Sequence, residues 1–301
     1  MKKYLASITL AACTFSPAMA TEAPACSPLG MDKTSVMALR EAEFTLENEA
    51  KYQTLAMDLI ACLGHPDPDL RDKIGYEGLS KLMREKRISA AQIVDVGKTL
   101  IEKINEPDTD GFLRPFAALV LSEVARADRI DDILTAGQRQ VLIDEATAYI
   151  SDITDYRGFD EDEGWRHGVA HGADLLMQLT LNDALDRKQI LQIRDTIGAQ
   201  IMASNEHFYL YGEPERLARP ILFAARRGLI TETEWTAWFE TITAPAPFDS
   251  WGDVFFSQEG LAKRHNLRGF AMAIYVNADV SSNENYKVLL SGALATLGQT
   301  N

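Results

Sequence analysis

The side chains with the greatest chemical capability crowd into one stretch, Asp155 to Gln178, reading DYRGFDEDEGWRHGVAHGADLLMQ. Placed on a helix over 164–181 at about 100° per residue, His167, His171, Asp174 and Gln178 fall within an arc of roughly 60°. Two imidazoles at i and i+4, with a carboxylate three residues on, have the spacing to bind a divalent metal and leave one position open to water. That chemistry would belong to a metal-dependent hydrolase. The stretch has no His-Glu-x-x-His, however, so a general base would have to come from Asp160 or Glu163. The same residues also read as structural, with a histidine bonded to a carbonyl or an acid and Asp174 holding a neighbouring loop. Arg157 could hold an anionic ligand beside this stripe, or pair with Asp155, Asp160 or Asp174 and lock its own turn.

The element that would position these groups is a helix with an unusually wide apolar face. Trp165, Val169, Ala173, Leu175, Leu176, Met177 and Leu179 cover most of its circumference, which predicts a central helix whose polar stripe faces a groove. Gly164, Gly168 and Gly172 recur every four residues, and each glycine inside a helix costs on the order of 1 kcal/mol relative to alanine. Close approach of a neighbouring helix or loop, such as the turn at 157–159, accounts for that cost. The acidic run 160–163 falls just before or in the first turn, where carboxylates favour the positive end of the helix dipole.

The string Asp155, Arg157, Gly158, Phe159, Gly164-Trp165, His167, Ala170-His171 and Ala173-Asp174-Leu175-Leu176 resembles the bacterial family catalogued as domain of unknown function 2785. Leu70-Arg71-Asp72 with Tyr76, Arg114 with Phe116, Glu215-Arg216-Leu217, and Arg264 with Asn266 and Phe270 fit it too. Arg-Pro-Phe-Ala at 114–117 departs from the Arg-Ser-Phe-Ser associated with such proteins, so no role for those two hydroxyls carries over. The resemblance implies an α-helical domain and brings no catalytic assignment.

Composition sets the outer bounds. At 301 residues and 46% hydrophobic content the chain can bury a large core, and its net charge of −14 argues against nucleic acid and anionic lipid as partners. Lys2-Lys3, the apolar run 4–12 and the small residues Ala18 and Ala20 form a secretory signal over 1–20. Its apolar run is too short to span a bilayer, and export, most simply to a periplasm, follows. Leu10-Ala11-Ala12-Cys13 offers the alternative of a lipoprotein anchored through Cys13. The mature chain would keep Cys26 and Cys62, which an oxidising compartment could join.

Helical patterns then follow one another to the end, among them 68–86, 162–181, 213–227 and a broken one over 250–277. Ser89 and Thr231 have the spacing of N-caps, Gly228 that of a C-cap, and Trp235, Trp238 and Phe239 that of core. About a dozen antiparallel helices with short Pro-marked links predict a single all-α domain over 21–301, an α/α superhelix or HEAT-like stack with pairs recurring at roughly 40 residues. Asp108-Thr109-Asp110-Gly111 starts like a calcium loop but has Ala117 where the bidentate glutamate should stand. His207 with Phe208, Tyr209 and Tyr211 could join a sugar- or peptide-binding aromatic cluster, or simply pack as a loop on the core. His265-Asn266, on a helix with Arg264 and Arg268, could line the same groove as the histidines but reads more simply as a capped helix surface. The functional expectation is an exported helical domain that binds a small ligand or peptide at a groove around Arg157, His167, His171 and Asp174; the alternatives are the hydrolase and a protein-binding scaffold.

Overall fold

A computed structural model describes residues 25–202 and 206–301; the signal segment expected over 1–20, with its expected cleavage site, and Cys13 lie outside them. The protein is all-α. The helices are α1 (Lys33–Glu41), α2 (Tyr52–Cys62), α3 (Glu77–Arg84), α4 (Ala90–Ile104), α5 (Leu113–Asp131), α6 (Ala136–Ser151), α7 (Gly168–Thr180), α8 (Arg187–Met202), α9 (Glu213–Arg226), α10 (Glu232–Thr243), α11 (Gln258–Asp279) and α12 (Lys287–Gln299). Among the described residues no helix is long and apolar enough to cross a membrane.

Local signals fix many of these ends. Ser89 with Gln92, Thr135 with Gln138 and Thr231 with Glu234 form reciprocal capping boxes that satisfy the first orphan N–H groups of α4, α6 and α10. Gly228 follows α9 with φ +66°, the left-handed conformation that stops a helix cheaply. The pattern over 68–86 is a single helix in the sequence, but the chain forms a π-helix over Asp69–Tyr76 before α3. Gly75 lies within it, and a Cβ there would stand 3.0–3.2 Å from Leu63 and Cys62 of the preceding hairpin.

The helices stack in two layers. Odd-numbered helices pack on one another in order from α3 to α11, even-numbered helices do the same from α2 to α12, and pairs such as α4 with α5 and α11 with α12 join the layers. One continuous apolar cluster runs through the stack from Val36 to Ala293 and includes Trp235, Trp238 and Phe239. Polar cross-links mark the repeat. In the odd layer Arg40 reaches Glu77, Arg84 reaches Glu123, Gln178 accepts from Arg129, and Arg216 reaches Asp174, at separations of 37, 39, 49 and 42 residues. In the even layer Asn105 bonds Glu145 and Gln189 bonds Gln140, at 40 and 49 residues. The roughly 40-residue interval thus survives as a ladder of side-chain links even though the side chains themselves do not repeat. Cys26 and Cys62 are joined in a disulfide that ties the N-terminal segment to the end of α2.

Candidate functional site

The helix expected over 162–181 begins later, at Gly168, and the residues before it form a small antiparallel hairpin. Phe159 pairs with Trp165 and Asp160 with Gly164, and the ladder continues as Arg166 N–H donates to Gly158 and His167 N–H to Arg157. Two left-handed residues force this path, Gly164 at φ +76° and His167 at φ +59°. The second is uncommon for a residue with a Cβ and costs on the order of 1 kcal/mol. At the tip, Asp160 Oδ1 accepts from the N–H groups of Asp162 and Glu163, both at 2.9 Å. The acidic run therefore caps a turn instead of sitting against the dipole of α7.

The glycine ridge is likewise redistributed. Gly164 belongs to the hairpin, while Gly168 and Gly172 face α6: a Cβ on Gly172 would stand 2.4 Å from Ile150, and one on Gly168 3.1 Å from the Tyr149 hydroxyl. The neighbour that needed the glycines is a helix, not the turn at 157–159.

His167, His171 and Asp174 each have their own close partners. The His167 and His171 rings stand 5.7 Å apart. His171 is buried, edge-on to Phe116, and its Nδ1 donates to the Pro115 carbonyl at 3.2 Å. Burial, helped by the neighbouring His167, holds its pKa down to about 3. His167 stacks on Trp165 with centroids 4.7 Å apart. Burial and then the Arg216 charge lower its pKa to about 4. Its Nε2 is buried with no hydrogen-bond partner among the described residues. Both rings are therefore neutral near pH 7.

Asp174 pairs with Arg216, whose charge also reaches both rings, and Arg219 stands 3.8 Å from its other oxygen. Burial raises its pKa and the two guanidiniums work against that rise. Of the residues expected to ligate a metal, Asp174 is a rung of the odd-layer ladder and His171 Nδ1 donates to a carbonyl; among the described residues no group of three or more His, Cys, Asp or Glu side chains is arranged to hold a metal ion. Gln178, the fourth member of the stripe, accepts from Arg129 at 3.3 Å and is another rung.

Arg157 sits elsewhere. Its Nε and Nη2 bond both oxygens of Asp155, at 2.5–3.0 Å, and Nη2 also donates to the Asp110 carbonyl. Burial pushes the Asp155 carboxyl upward, but the hydrogen bonds from Arg157 leave its pKa below the usual value. Gly111 makes room for this pair, since a Cβ there would lie 2.3 Å from Asp155 and 2.6 Å from Arg157. The Asp-Thr-Asp-Gly segment thus cradles an ion pair, with Asp108 accepting from the N–H groups of Gly111 and Arg114.

The open space lies beside that pair. A cleft of about 830 Å³ runs between the hairpin and the loop before α9, lined by Asp155, Tyr156, Arg157, Phe159, Asp160, Glu163, Arg166, His207, Leu210 and Tyr211 among others. Both walls are held firmly. Arg166 donates to the Asp110 carbonyl and to Glu163, Arg71 donates to the Glu163 carbonyl, and both guanidiniums pack on the Phe112 ring at 4.1–4.2 Å. On the far wall Asn266 bonds the backbone of both His207 and Tyr209, His265 Nε2 donates to the Tyr209 carbonyl, and Glu213 accepts from Tyr211 N–H. His265-Asn266, on α11, holds the loop that forms one side of the cleft. Of the four expected site residues only Arg157 lines the cleft. Tyr156, Phe159, Leu210 and Tyr211 line its walls; the aromatic run at 207–211 was the sequence signal for the last two, and the stretch from Asp155 held the first two.

The family model described as a protein of unknown function, DUF2785, matches residues 100–276, well over half of the chain. The chain belongs to that family. The DUF2785 match begins within α4, ends within α11, and includes every lining residue of the cleft. Comparison with curated proteins and with solved structures returned no match.

Proposed function

We propose that this DUF2785 protein is a ligand-binding member of the helical-repeat class, and that its working surface is the cleft between the 159–165 hairpin and the 206–212 loop. The observation that carries this reading is the combination of a concave volume within the range of small-molecule sites with walls fixed by buried side chains from several repeats. Preformed walls spare a ligand the entropy of ordering them. Arg157 serves as a rim group, and His167 and His171 support the hairpin from beneath as neutral packing groups.

Gly158 provides the test. The Tyr211 ring lies directly on it, and a Cβ there would come 2.0 Å from the ring. Gly158→Ala must therefore displace Tyr211 while leaving every charged group in place. A thermal-shift screen of a small-molecule library should give stabilising compounds for the native chain whose shifts disappear in Gly158→Ala. Shifts identical in the two proteins would place ligand binding elsewhere and overturn the reading.

A further inference from the structure

We infer that the ligand of this cleft is a neutral saccharide, a step that rests on the binding-cleft reading above and gives it a chemical class. The walls offer aromatic and apolar faces to solvent: Phe159 is 46% exposed, Tyr211 38% and Leu210 66%. Apolar surface gathered at the mouth of a cleft marks a contact surface. A pyranose ring has an apolar C–H face that covers such rings and a hydroxyl-bearing edge that leaves them wet, the same division of character that tyrosine and tryptophan carry.

Charge narrows the class further. The lining holds two guanidiniums and three carboxylates, one net negative charge, and four of the five are already joined, Arg157 to Asp155 and Arg166 to Glu163. An anionic ligand meets no unpaired cation. A cationic one meets only Asp160, whose Oδ1 is taken by two backbone N–H groups. What remains unspent is hydrogen-bonding capacity. Arg157 Nη1, Asp160 Oδ2 and Glu163 Oε1 carry no bond to any described residue, although their neighbouring atoms do. These are one donor and two acceptors on groups already oriented by their partners. A hydroxyl is both donor and acceptor and satisfies either kind without adding charge.

Saturation-transfer NMR on the full chain provides the test, with the glucose, galactose, mannose and N-acetylglucosamine trisaccharides as neutral probes and trilysine and trigalacturonate as charged ones. Trp165, which touches both Phe159 and Tyr211, gives a fluorescence readout of the same site. At least one neutral trisaccharide should bind, with affinity falling about tenfold or more in Tyr211→Ala and in Phe159→Ala, a change a lost aromatic contact can supply. Both charged trimers should bind at least about tenfold more weakly than that sugar. Circular dichroism on each variant separates lost binding from lost fold. If trilysine binds best and loses affinity in Tyr211→Ala, the cleft stands as a binding site and the saccharide class is wrong; if trigalacturonate does, the cleft stands and the neutral character of the ligand is wrong. If no probe responds to Tyr211→Ala or to Gly158→Ala, both the class and the site are wrong.

Discussion

Asp128 and Asp155 are both aspartates bonded by an arginine through two nitrogens, and they do opposite work. Asp128 lies 2% exposed at the end of α5, where it accepts from Arg139 Nε and Nη2, from Leu134 N–H and from Asn182 Nδ2, at 2.6–2.9 Å. Its oxygens are saturated, and the knot ties α5 to α6 and to the link after α7. Asp155 with Arg157 is more than a third exposed on both sides, and the guanidinium keeps a nitrogen to spare beside an open cleft. Saturation and burial make a charge pair part of the frame, whereas exposure and leftover capacity make the same pair part of a surface.

Three measurements sharpen or break that contrast. The largest effect belongs to Asp128→Ala, which leaves Asn182 Nδ2 and Leu134 N–H without their acceptor and the buried Arg139 with only Asp132 and the Leu134 carbonyl, and should cost about 3 kcal/mol in urea unfolding. A loss below about 1 kcal/mol, the range of exposed pairs, would erase the distinction. Next comes acid. His167 and His171 have folded pKa values of about 4 and about 3, both depressed below the unfolded value. Their contribution is full above pH about 6.5 and is lost as pH falls towards 3, because the unfolded chain takes up protons that the folded chain refuses. For the fully buried His171 the slope approaches roughly 1.4 kcal/mol per pH unit. Buried Asp174 and Glu213 and half-buried Asp72, with pKa values raised by desolvation, are stabilised on acidification and offset part of it at the lower end. His171→Leu should flatten the slope between pH 6 and 5; an unchanged slope would show that the ring is not held neutral by the fold. The smallest effect should be Arg157→Ala, at most about 1 kcal/mol in stability because its pair is exposed, yet with a measurable loss of ligand affinity. A large stability loss there would put Arg157 with the frame.

The helical frame was legible in the sequence because period, caps and short links all pointed the same way. Ser89, Thr231 and Gly228 mark ends that the structure keeps, and the residues carrying the family resemblance lie within the matched span apart from Leu70, Arg71, Asp72 and Tyr76. The hairpin was not legible. Two-residue strands are too short to alternate, and Gly164, Gly168 and Gly172 continued the helical spacing by coincidence of two different roles. Asp160, two residues before the backbone N–H it accepts, with Gly164 following, was a turn signal inside what read as an acidic first turn. His167 gave no warning, since a left-handed histidine looks like any other in one dimension. The partners of Asp174 and Asp128 lie tens of residues away or on another helix, and only the repeat interval hinted at where to look.

Arg71 precedes α3, Phe112 precedes α5 and Arg166 precedes α7, so the cluster they form gathers three successive turns of the stack at a single point. A solenoid flexes by small rotations between neighbouring units, and such rotations add up along its length. The cluster clamps the hairpin wall to three units at once, while the opposite wall is fastened to α11 through Asn266 and His265. Bending of the superhelix therefore widens or narrows the gap between them, as a hinge far from a pair of jaws sets how far they part.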